Sequence, residues 1–147
     1  EEARMKNILV PIDPAQPART RAAIDQVVRL WREAPATVRL LRVQPKVSGH
    51  VAMFFASGEL SDLQISAGAE DLQFAQGLLD AAGVPYTSTV VVGRSAKTIV
   101  DVAHEHNCDC IVFGPEQPSF AGRVFGSMSE QVRQMLGPRA EAQVIGS

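Results

Sequence analysis

Short apolar runs alternate along this chain with segments in which apolar residues recur at helical spacing. The first run, Ile8 to Ile12, stops at Asp13 and a proline-rich turn. Later runs occupy residues 37–43, 86–92, 110–113 and 143–145, and amphipathic segments lie between them. Continuous apolar strands joined by helical crossovers are typical of parallel sheets. The alternation predicts an α/β fold: a doubly wound, open, five-stranded parallel sheet of order 3-2-1-4-5 with helices on both faces.

Several residues predict where the helices begin and end. Pro17 suits the first turn of the first helix, and Ser95 is a candidate N-cap for the helix after the third strand. Ile65, Leu72 and Leu79 are spaced as the core face of one long helix, which should stop at Gly83. Residues 128–136 are predicted to form the last helix.

The composition indicates an ordinary soluble globular protein. The 147 residues are 46% apolar and 20% charged, with a formal net charge of −2. No basic block supports nucleic-acid binding, and no run has the length of a membrane span or the pattern of a signal peptide. We therefore expect a cytoplasmic location. Residues 1–4 are interpreted as a tag remnant or linker, and residues 5–147 as a single domain.

The sequence offers little for metal or catalytic chemistry. His104, His106, Cys108 and Cys110 form a His-x-His-x-Cys-x-Cys pattern, but helical geometry would turn the two histidines to different flanks. Cys110 should start a buried strand, where cysteine behaves as a small hydrophobic residue. Walker, dinucleotide-binding and nucleophile-elbow patterns are absent. We expect no metal site and no catalytic residue.

A candidate binding site arises where the sheet topology reverses. In a sheet of this order the first and fourth strands end side by side, which brings Asp13 close to Gly114. Gly126-Ser127 then precedes the last helix, whose N-terminus favours an anion. Two structural alternatives stay open: Asp13 could cap its own turn, and Ser127 with Glu130 forms a capping box.

Together these segments resemble the universal stress protein family. The resemblance is carried by Asn7–Asp13, Val38–Val43, Gly93–Ala103 and Asp109–Gly114, and it extends from Met5 across essentially the whole chain. It implies the five-stranded α/β fold, a homodimer and, in many members, an ATP site built on Gly-x-x-Gly followed by Gly-Ser/Thr. In those members an aspartate at the end of the first strand meets the adenosine end, and a backbone in the second strand meets adenine.

The resemblance, which matches Asp13, Val43, Gly114, Gly126 and Ser127 to the family pattern, and the residues around these positions together give eight candidate nucleotide-binding residues. They are Pro11, Asp13, Val43, Gly114, Gly122, Gly126, Ser127 and Ser129. The glycine loop is degenerate, because Gln117 replaces its second glycine and the interval to Gly126 is one residue shorter than the family pattern. Pro115 has no N–H to donate. ATP, with Mg²⁺, is therefore one candidate ligand, and a member that binds no nucleotide is the alternative.

The functional expectation follows from these points. We expect a cytoplasmic stress-response protein that acts as a dimeric binding or signalling module, with at most very weak ATP hydrolysis. If nucleotide binding has been lost, the chain would act through protein–protein contacts, for which the apolar segment 51–55 is a candidate. A third alternative is an enzyme of another doubly wound family. The missing acid–base residues and phosphate-binding motifs in the sequence count against it.

Overall fold

The fold is an open parallel sheet layered between helices. The computed structural model describes residues 5–47, 49, 53, 58–115, 128–137 and 142–146. The elements in chain order are β1 (Lys6–Pro11), α1 (Pro17–Glu33), β2 (Ala36–Gln44), α2 (Glu59–Asp71), α3 (Gln73–Ala82), β3 (Thr87–Val92), α4 (Ser95–Glu105), β4 (Cys110–Val112), α5 (Met128–Leu136) and β5 (Gln143–Ile145).

The strands pair in the order β3-β2-β1-β4-β5, and every pair is parallel. In the centre of the sheet, Ile8 of β1 lies opposite Val38 of β2 and Cys110 of β4. The predicted fold class and strand order are therefore confirmed. The chain leaves β1 toward one edge of the sheet and returns to β4 on its other side, so β1 and β4 flank the topological switch point.

Alternate residues of each strand feed two separate cores. On one face, Ile8 and Val10 of β1 pack with residues of α1 and α3. On the other face, Leu9 and Ile111 pack with residues of α4 and α5. Because helices cover both faces, neither side of the central strands can be polar. This explains why the sequence shows continuous apolar runs instead of an alternating pattern.

The prediction of one long helix over residues 65–82 is wrong in its details. The helix divides at Leu72, which is fully buried at the junction of α2 and α3. Ile65 does not face the core, since 46% of its surface is exposed. Gly68 turns toward the sheet instead, and a Cβ there would collide with the side chain of Val90. The small residue lets α2 approach β3 closely.

Two helix ends also show how local chemistry sets the boundaries. Gly83 adopts the left-handed conformation with φ of +73°, and the next N–H, from Val84, bonds the Leu79 carbonyl at 3.0 Å, as in a glycine-terminated helix. Ser95 is the first residue of α4 and not its N-cap; Arg94 takes that position, and its carbonyl accepts the Thr98 N–H at 2.8 Å. None of the described helices combines the length and apolar character that crossing a membrane requires.

Candidate functional site

A crevice opens beyond the carboxyl ends of β1, β2 and β4, where the topology reverses. Its volume is about 290 Å³. The described residues that line it are Pro11, Ile12, Asp13, Gln16, Arg19, Thr20, Ala23, Leu41, Arg42, Val43, Pro45, Ser95, Ile99, Phe113, Gly114 and Met128. Four of the predicted site residues, Pro11, Asp13, Val43 and Gly114, therefore share one concave surface.

Asp13 stabilises the turn that leads from β1 into α1. One carboxylate oxygen accepts the backbone N–H of Ala15 at 3.0 Å, and the other accepts the side-chain N–H of Gln16 at 3.1 Å. The Gln16 N–H also bonds the Asp13 carbonyl at 3.1 Å. Asp13 thus caps its own turn, which was the structural alternative to ligand binding. This does not exclude a ligand, because Asp13 is exposed and each carboxylate oxygen can accept a second hydrogen bond.

Val43 presents its backbone to the crevice for a reason of strand geometry. Pairing between β1 and β2 ends at Pro11 and Leu41, with one further bond from the Ile12 N–H to the Leu41 carbonyl at 2.8 Å. Strand geometry repeats every two residues, so the peptide groups of Val43 face the same side as those of Leu41. That side, beyond the end of β1, is the crevice. The apolar side chain of Val43 is itself buried.

Gly114 lies where α1 and the end of β4 come closest. A Cβ at this position would collide with the carbonyl oxygen of Arg19. The Arg19 side chain in turn bonds to Gly114: its Nε donates to the Gly114 carbonyl at 2.7 Å. The guanidinium carbon of Arg19 also lies 5.8 Å from the ring centroid of Phe113, within range of a cation–π contact. The approach requires glycine here because of space, not because of its backbone conformation.

The described lining carries more positive than negative charge. Its ionisable side chains are Asp13, Arg19 and Arg42. Nε of Arg42 pairs with a carboxylate oxygen of Asp71, at the end of α2, at 3.0 Å. This pair ties β2 to the helix beside it. The two guanidinium groups can attract an anionic part of a ligand, although Asp71 offsets part of the charge of Arg42.

The remaining predicted residues are placed differently. Ser129 is fully buried on α5 and does not contribute to the crevice lining, whereas its neighbour Met128 does. Gly122, Gly126 and Ser127 lie outside the described residues, as does Gln117. Of the departures from the family pattern, Pro115 lies within the described residues and Gln117 does not, and the roles of Gly122, Gly126 and Ser127 stay predictions.

Sequence reasoning missed the contribution of α1. Gln16, Arg19 and Thr20 all line the crevice, together with Ala23. Their spacing of three to four residues places them on one face of the first turns of α1. A helix that starts shortly after Asp13 must begin near the switch point, but the spacing does not indicate which residues at the end of β4 this face contacts. Ser95, predicted as a cap, is likewise a lining residue.

The cysteines play no part in this crevice. Cys108 and Cys110 are free and buried. Burial raises the pKa of the Cys108 thiol to about 11 and also raises the pKa of Cys110. Both thiols therefore stay protonated at neutral pH, which opposes nucleophilic reactivity and metal ligation. Across the described residues, no group of three or more His, Cys, Asp or Glu side chains is placed to hold a metal ion.

Several solved structures are similar to this fold over nearly the whole chain. A universal stress protein in complex with cAMP is 18% identical with a TM-score of 0.72, and the alignment covers 99% of this chain and 98% of that one. A universal stress protein from Archaeoglobus fulgidus in complex with dAMP is 19% identical with a TM-score of 0.62, over 99% and 98% of the two chains. Universal stress protein UspA from Lactobacillus plantarum is 24% identical with a TM-score of 0.67, over 99% of both chains.

The sequence itself gives the family. No curated protein matches the chain significantly. The profile of the Universal stress protein family, however, matches residues 5–135, which includes every element from β1 to most of α5. The chain belongs to the universal stress protein family.

Proposed function

We propose that this protein binds an adenine nucleotide in the crevice between the ends of β1 and β4 and acts as a binding or signalling module of the stress response. The observation that carries the proposal is the convergence of Pro11, Asp13, Val43 and Gly114 on one concave surface. Two solved structures of similar fold are described as complexes with cAMP and dAMP. An adenine nucleotide is thus the ligand class that fold and crevice favour together.

The chemistry of the lining fits the parts of such a ligand. The peptide groups of Val43 can pair with the edge of an adenine ring, as a neighbouring strand would. The carboxylate of Asp13 can accept hydrogen bonds from ribose hydroxyls. Positive charge at the end of β4 favours the phosphate. Nothing in this set supplies a general base aligned on a phosphate, so we propose binding without efficient turnover.

A thermal unfolding series with AMP, cAMP and ATP, each with and without Mg²⁺, tests the proposal. A ligand present at 100 times its Kd should stabilise the folded chain by about 2.7 kcal/mol. Asp13→Asn should weaken binding roughly tenfold, because it removes the charge from the ribose contact. Asn can still accept the Ala15 N–H, so the turn is kept. Asp101→Asn is the matched control, since Asp101 pairs with Lys97 on α4 away from the crevice.

Two results would count against nucleotide binding. One is an unfolding temperature that does not move at millimolar concentrations of all three nucleotides. The other is equal weakening by Asp13→Asn and Asp101→Asn, which would place the ligand elsewhere.

The second candidate function is a member that binds no nucleotide and acts through protein contacts. It is favoured by Gln117 and Pro115, which remove backbone freedom and a donor from the loop. Within the apolar segment 51–55, the described residue Met53 is 73% exposed. Either function is proposed for a cytoplasmic homodimer. The thermal series separates the two candidates directly.

A further inference from the structure

One cationic side chain of the crevice, Arg19, has no counterpart in the glycine-loop pattern. It is the third residue of α1, so it projects from a different element than the loop that follows β4. Its Nε is held by the Gly114 carbonyl at 2.7 Å, and its guanidinium lies against the Phe113 ring. Both partners line the crevice with it. The charge is therefore anchored where the chain leaves β4 toward Gly126-Ser127.

The location of this charge matters because the sequence after β4 departs from the phosphate-binding pattern of the family. Pro115 has no N–H, and Gln117 replaces the glycine that would allow close phosphate approach. A guanidinium supplies a permanent positive charge and a planar set of donors that matches phosphate geometry. The second arginine of the lining, Arg42, lies on β2, where its Nε pairs with Asp71 at 3.0 Å, and not at the end of β4.

We infer that Arg19 is a ligand-binding residue that recognises the phosphate of the bound adenine nucleotide, so that the site selects adenosine phosphates over adenosine. This inference rests on the proposed function and adds the group that gives the site its phosphate dependence. Phosphate recognition shifts from the backbone of the loop to a side chain of α1. One phosphate group next to the end of β4 is enough for this recognition. Binding therefore does not require the complete glycine loop that would hold a triphosphate.

The test compares the affinities of AMP and adenosine, measured by isothermal titration calorimetry. The wild-type protein should bind AMP at least tenfold more tightly than adenosine. Arg19→Gln should lower the affinity for AMP about tenfold and leave the affinity for adenosine unchanged, so that the preference disappears. Arg19→Lys keeps the charge but loses the planar fork, and it should recover part of the preference. The affinity of wild-type protein for AMP should also fall with added NaCl, more steeply than that of Arg19→Gln.

Arg21→Gln is the matched control. It removes the same charge from the same helix, but Arg21 contacts the Phe74 ring at 5.4 Å and is not part of the described crevice lining. It should leave the ratio of the two affinities at the wild-type value. Thermal unfolding of every variant without ligand confirms that the affinities refer to folded protein.

The possible failures are distinguishable. If wild-type protein binds neither AMP nor adenosine, the proposed function and this inference are both overturned. If wild-type protein prefers AMP and Arg19→Gln keeps that preference, the inference alone is overturned. Equal weakening of AMP and adenosine by Arg19→Gln also overturns it, because Arg19 would then only shape the crevice through Gly114.

Discussion

Single residues at the end of β4 show how tightly the site is built into the fold. Gly114 and Arg19 come from segments far apart in the chain, yet a Cβ on Gly114 has no space and the Arg19 side chain bonds its carbonyl. The same contact therefore packs α1 on the sheet and positions a charge at the crevice. A change at either residue should affect stability and ligand binding together.

Gly114→Ala is expected to lower the stability of the folded protein. The added methyl group collides with backbone at Arg19, which cannot rotate away, and overpacking of this kind costs about 1–3 kcal/mol. Gly77→Ala is the control: Gly77 lies inside α3 with nothing within 4 Å of the new Cβ, and alanine should gain roughly 0.5–1 kcal/mol there. Urea unfolding of both variants should give shifts of opposite sign. Equal stability of Gly114→Ala and wild type would contradict the close approach.

Cys108 should make stability fall at high pH. Burial raises the pKa of the Cys108 thiol in the folded protein to about 11, whereas in the unfolded chain the thiol ionises near its ordinary pKa of 9.0. A folded-state pKa above the unfolded one means that stability is complete below pH 9 and is lost between pH 9 and about 11. Urea unfolding from pH 8 to pH 10.5 should show a decline that is shallower in Cys108→Ala. Parallel profiles of the two proteins would contradict this assignment.

Among the elements, the α2–α3 pair depends on the buried side chain at its junction. Leu72→Ala should destabilise the protein by about 2–5 kcal/mol, because Leu72 is fully buried and its loss leaves a cavity. Leu63→Ala on α2 removes the same atoms from a residue that is 52% exposed, and it should cost at most about 0.5 kcal/mol. Thermal unfolding of the two variants measures the difference. Similar losses in both would mean that the junction does not carry the packing of the pair.

The strand order could be predicted because each strand and each helix has a clear signal in its own segment of the sequence. The runs at Ile8 and Cys110 are continuous, helical segments separate them, and the rules of parallel sheets leave few topologies. The face of α2 could not be predicted in this way. Its contact with the sheet runs through Gly68 against Val90, and a glycine adds nothing to an apolar pattern.

The residues of the candidate site also differ in how far the sequence predicts them. Asp13 and Gly114 were predictable because they end strands whose neighbourhood follows from topology. Val43 could be predicted only from the family resemblance. It presents its backbone to the crevice, and the side-chain pattern of the sequence does not indicate this. Arg19 was missed because its role depends on how α1 docks against Gly114, which is a tertiary contact between distant segments. Patterns within one segment carry no information about such contacts.

For the whole molecule, the family resemblance predicts a homodimer, and β5 is the strand we expect to form it. Gln143 and Ile145 bond toward β4, so the peptide groups of Val144 between them face the outer edge of the sheet. Val144→Pro removes an outward N–H without breaking a bond to β4. Sedimentation should give twice the chain mass for wild type and for Val144→Ala, and one chain mass for Val144→Pro. A monomeric wild type, or a dimeric Val144→Pro, would contradict the β5 dimer.

At the scale of the molecule, we expect one crevice, formed where β1 and β4 separate, to hold an adenine nucleotide. A crystal structure determined with saturating AMP tests this most directly. We expect density for the nucleotide in that crevice, with adenine against the backbone of Val43, ribose beside Asp13 and phosphate next to Arg19 and Gly114. A structure at the same AMP concentration with an empty crevice, or with AMP bound at another surface, would contradict it.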